Sequence, residues 1–196
     1  MPEAAFEWRP VGEDQSLPCW EARGGDTVVA ILAAGERPTC AHRLLATDRR
    51  VIVFAMTEGA EAPGETARRI GAALAGSAVA HFDLMGEGTG AAAALWLGLM
   101  PEIEIGSILL AAPEGPLDEA FRAIKRPVLV LCGTKNAPDA VDRCRTLLPE
   151  SHFMLVYDAG RAIGVDRPEA LAFIAREFFE RRDLFLVSRE SGVVLP

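Results

Sequence analysis

A chain of 196 residues, half of them apolar and 24% charged, has the length and balance of a globular protein with one sizeable core. Its net charge of −8 speaks against nucleic acid or an anionic membrane as partner. No apolar run approaches the roughly 18 residues of a bilayer span, and the N-terminus lacks a signal peptide's apolar stretch, so the expected location is cytoplasmic.

The first two dozen residues predict a strand-turn-strand unit. Residues 6–8 and 17–22 are β-prone, separated by Gly12, Glu13 and Asp14 and followed by Gly24 and Gly25. Pro10 and Pro18 suit edge strands. From residue 27 the pattern changes to continuous apolar runs at 27–34, 50–56, 79–85, 106–112, 127–132 and 153–157. Runs of this length without period-2 alternation fit strands buried on both faces. Helical segments lie between them at 39–47, 65–74, 89–98, 137–148 and 167–181. The last carries an expected stripe of Ala170, Leu171, Phe173, Ile174, Phe178 and Phe179.

This repetition predicts a doubly wound α/β sheet with helices on both faces. It forms a single domain over 1–183, followed by an extended tail at 184–196. The tail's apolar pieces either lie back on the chain's own body or join a second copy as a homodimer.

The most informative stretch is 82–95, where a strand runs into Gly86, Gly88 and Gly90 and then into Ala91–Ala94. One reading is a dinucleotide loop, but the third glycine comes one residue early and the motif sits mid-chain. Glu87 would also face any phosphate. The other is the strained strand-to-helix turn G-x-S-x-G, whose spacing fits in full. With Leu32-Ala33-Ala34-Gly35, the strand 127–136 and the loop 158–163, it resembles the α/β-hydrolase fold superfamily over about 28–181.

The resemblance implies a mostly parallel sheet, and with only 113–126 between two strands it implies no cap domain. It places the nucleophile at Gly88, the acid at Asn136 and the histidine at Arg161. Glycine offers no nucleophile, and a guanidinium cannot act as a base. The expectation is a pseudohydrolase that binds a small molecule or a protein partner, its turn kept without strain by Gly88.

The alternatives are an enzyme built on Glu87, Thr89 and Arg161, or a structural, oligomerising chain. For the enzyme, a retained oxyanion hole would use the backbone N–H groups of Thr89 and approximately Glu36. The candidate ligand-binding residues are Gly35, Glu36, Glu87, Gly88, Thr89, Glu114 and Arg161. An Arg161–carboxylate pair is expected to close the former site. His42, His81 and His152 read as structural, and the four cysteines as reduced thiols. Neither set has metal spacing, so no metal and no cofactor is expected.

Overall fold

Eight strands hydrogen-bond side by side in a computed structural model that describes residues 5–12, 16–57, 59, 62–77, 79–135, 139–182 and 185. They are β1 (Glu7–Val11), β2 (Leu17–Ala22), β3 (Thr27–Leu32), β4 (Arg50–Ala55), β5 (His81–Glu87), β6 (Glu104–Ala111), β7 (Val128–Gly133) and β8 (His152–Val156). The helices are α1 (Cys40–Leu45), α2 (Pro63–Ala75), α3 (Gly90–Gly98), α4 (Asp139–Leu147), α5 (Ile163–Asp166) and α6 (Pro168–Arg181). The strand order is β1-β2-β4-β3-β5-β6-β7-β8. Strands β3 to β8 pair in parallel, and β2 joins β1 and β4 antiparallel.

Alternation along each central strand feeds two cores, one on each face. Val29 and Ile31 point to the side covered by α2 and α3, while Val28, Ala30 and Leu32 point to the side covered by α1 and α6. This explains why these strands read as unbroken apolar runs. Helix α2 starts with Pro63 in its first turn and buries Ala67, Ile70 and Leu74. Helix α3 is buried almost all round, and its alanines let it lie close to the sheet.

Pro10 and Pro18 face each other across the β1–β2 ladder. The β2–β4 register starts only at Cys19, so neither ring interrupts it.

Two expectations need correction. The strand expected to stop at 85 continues to Glu87, because Gly86 and Glu87 still pair with Leu110 and Ala111. In α6, Phe173 is 58% exposed, while Leu171, Ala172, Ala175, Phe178 and Phe179 are buried. At 100° per residue, position 173 falls opposite the face shared by 171, 175 and 178.

Between β6 and β7 lies only a short 3₁₀ turn, Glu119–Ala123, whose Phe121 packs edge-on to Trp96 at 5.3 Å. No cap domain is present among the described residues. Of the tail, Phe185 is described and packs against Phe178 at 6.1 Å. No helix among the described residues is long and apolar enough to cross a membrane.

Candidate functional site

The glycine triplet turns the chain from β5 into α3. Gly88 sits at the tip with φ +54°, a left-handed conformation that costs a residue with a side chain. A Cβ there would meet no atom within 4 Å, so the space above the tip is open. Its neighbours are set by contact instead: a Cβ on Gly86 would lie 2.7 Å from Ala91 Cα, and one on Gly90 would lie 2.3 Å from the Ile31 carbonyl oxygen.

The tip is fastened to β6 and the loop after it. Gly88 N–H donates to the Ala111 carbonyl (3.1 Å), and the Gly88 carbonyl accepts from Glu114 N–H (2.9 Å). Two non-glycine residues with positive φ, Ala112 and Asp158, lie beyond the ends of β6 and β8. Each has its backbone N–H bonded: Ala112 donates to the Leu131 carbonyl and Asp158 to Thr134 Oγ1.

Beneath the tip lies a pair that the sequence did not disclose. Glu87 and Met85 point to the same side of β5, toward α1, and Glu87 Oε1 lies 2.9 Å from His42 Nε2. His42 is fully buried and Glu87 is 8% exposed. Thr39 N–H donates to His42 Nδ1 at 3.0 Å, which leaves the proton of a neutral ring on Nε2, facing Glu87. The N–H is poorly aligned with the carboxylate oxygen, so the two atoms are close without a well-directed hydrogen bond. Helix α5 seals the pair, since a Cβ on Gly164 would lie 2.8 Å from Thr39 Oγ1 and 3.3 Å from Glu87 Oε2.

The other described sequence-derived residues lie around this end of the sheet. Thr89 is exposed, and its hydroxyl does not cap α3. Arg161 Nε lies 3.3 Å from Glu114 Oε1, with the arginine side chain 81% exposed, so the pair sits on the rim instead of closing the site. Glu36 is exposed on its loop, and partial desolvation of its carboxyl, reinforced by the Glu87 and Glu114 charges and opposed by the Ala33 backbone and His42, raises it above its ordinary value. Of the two expected oxyanion donors, Glu36 N–H is turned back onto the Ala33 carbonyl at 3.3 Å. Gly35 has φ +77° in the same loop. Asn136 lies outside the described residues.

A groove of about 220 Å³ lies between Trp8, Trp20, the end of β4 and the loop carrying Gly35, Glu36 and Arg37. A larger, charged cleft of about 560 Å³ lies at the opposite end of the strands, away from the elbow, and includes Arg49, His81, Asp83 and Arg182. No group of three or more His, Cys, Asp or Glu among the described residues could hold a metal ion. The sequence signal for the His42–Glu87 pair was faint: a histidine between Ala41 and Leu45 on a short helix, and an acid two residues after a core methionine.

No protein-family model matches the sequence, and no curated protein is similar to it in sequence. Solved structures are similar in fold. A predicted CIB-like hydrolase from Thermoplasma acidophilum matches with TM-score 0.71 at 15% identity, over 89% of this chain and 97% of that one. The serine hydrolase CarC, involved in carbazole degradation, gives 0.70 at 14% identity, over 91% and 100%. MGS-MChE2, an α/β hydrolase from the metagenome of lagoon sediments at Mar Chica, Morocco, gives 0.71 at 16%, over 90% and 99%.

Proposed function

We propose that this chain, which has the α/β-hydrolase fold, is a pseudohydrolase that binds a small molecule beside its elbow and does not turn it over. The observation that carries this reading is Gly88: the turn is fully built, and its tip holds no side chain. A triad needs a nucleophile bonded to a base that a third group orients. Here the nearest imidazole is sealed below the tip against Glu87, and Arg161 lies on Glu114. Diversion of Glu36 N–H to Ala33 removes one of the two oxyanion donors, which supports the same reading.

The test is hydrolysis of p-nitrophenyl acetate together with labelling by a fluorophosphonate. Neither turnover nor label is expected. Covalent labelling, or turnover abolished by Glu87→Gln, overturns the proposal.

A second reading keeps chemistry in the chain, and the His42–Glu87 contact favours it, since a carboxylate beside an imidazole is the core of a general base. It requires solvent or substrate to reach a pair that α5 now covers. Turnover lost equally in Glu87→Gln and His42→Gln would select it.

A further inference from the structure

We propose that the groove between the β1–β2 hairpin and the loop after β3 is a subsite for an alkylammonium cation, held against Trp8 and Trp20 and paired with Glu36. This deepens the small-molecule reading above and rests on it.

Trp8 and Trp20 are direct cross-strand partners, so their side chains project from one face of the hairpin. Trp20 packs partly onto the core, whereas Trp8 is 62% exposed. Aromatic faces beside a carboxylate form the arrangement that takes alkylated ammonium groups. Glu36 lines the groove, and its carboxyl feels the charges of Glu87 and Glu114.

The Glu87 and Glu114 charges repel that of Glu36, and His42 offsets part of it. The neighbouring cation Arg161 is already committed to Glu114 at 3.3 Å. A ligand cation relieves this repulsion, and the chain's overall charge of −8 draws one in. The groove's volume of about 220 Å³ is below the roughly 300–1,000 Å³ of drug-sized pockets, which suits a small headgroup. Arg37 lines the same groove and opposes a cation, which gives the idea a sign that can be tested.

The experiment titrates the full chain with choline and with its uncharged isostere 3,3-dimethylbutan-1-ol, read by tryptophan fluorescence and calorimetry. Saturable choline binding is expected, with the isostere at least about fivefold weaker. Trp8→Leu should weaken choline roughly two- to fivefold, as loss of one exposed cation–π contact implies. Glu36→Gln should also weaken it, and Arg37→Gln should strengthen it. Because a cation favours ionised Glu36, choline should bind more tightly as pH rises through the titration of that raised carboxyl.

Equal affinity for the two probes, no effect of Glu36→Gln, or no choline binding overturns the inference. Ester turnover is followed on the same samples. Absent choline binding without turnover sinks the inference alone, whereas turnover sinks the pseudohydrolase reading.

Discussion

His42 Nε2 stands 2.9 Å from Glu87 Oε1, so the helix after β3 is tied to the residue just before the elbow's tip. Both facing atoms are buried without a well-directed hydrogen bond, and removing the fully buried ring leaves a cavity and a carboxylate with no neighbour. His42→Ala should therefore destabilise the chain by about 2–4 kcal/mol. Glu87→Leu in the same background should add much less than it costs alone, a coupling that a double-mutant cycle in urea reads directly. Arg161→Ala removes only a rim contact and should leave Tm unchanged.

The elbow's glycines should rank by mechanism. Gly88→Ala meets no atom within 4 Å and bears only the cost of its positive φ, about 1–2 kcal/mol. Gly86→Ala and Gly90→Ala drive a Cβ to 2.7 Å from Ala91 Cα and 2.3 Å from the Ile31 carbonyl oxygen. Each should cost more than Gly88→Ala, about 3 kcal/mol or above, because backbone on both sides must move. Gly88→Ser should match Gly88→Ala in stability and show no esterase activity, since the hydroxyl gains no base.

At the other end of the sheet, burial raises the Asp83 carboxyl, outweighing the Ser107 hydrogen bond and the pull of Arg182 and Arg49. The folded state then holds this proton more tightly than the unfolded one. Stability from this group falls as pH rises from the ordinary aspartate value of about 3.9 through the raised folded value, and above that the penalty is complete. Asp83→Asn keeps an acceptor for Ser107 Oγ, now 2.8 Å from Asp83 Oδ1. It should raise the urea midpoint at neutral pH, an advantage that vanishes as pH is lowered below the carboxylate range.

The four thiols should separate sharply. Burial pushes Cys144 up to about 12 and Cys19 up to about 11, and it raises Cys132 as well. Cys40 is exposed at the start of α1. Ellman's reagent at neutral pH should titrate one thiol in the native protein and four in denaturant.

The glycine triplet was legible because each position answers a separate backbone demand, and such demands leave a mark at fixed spacing. The buried parallel strands were legible for a similar reason: with helices on both faces, apolar residues run without interruption. The His42–Glu87 pair was not. Glycines at 86 and 88 read as the start of a turn, yet ladder partners on β6 carry the strand to Glu87 and set which way its side chain points. His42 gave no sign of its burial either, since Glu87 beside it and α5 over the pair are distant in sequence. The Trp8–Trp20 pairing follows from hairpin register, which the loop at 12–16 did not specify.

In the hairpin, β2 is bonded to β4 at Cys19–Ala22 opposite Val51–Phe54 and buries Leu17 and Cys19 in the core, whereas β1 is the exposed edge. Its release would leave the parallel ladders from β3 to β8 untouched. The amides of β1 should therefore exchange with deuterium well before those of β3 and β5. Since Trp8 rides on this strand and Glu36 on the body it opens from, an occupant bridging the two would slow that exchange, turning a weak binding event into a local kinetic signature.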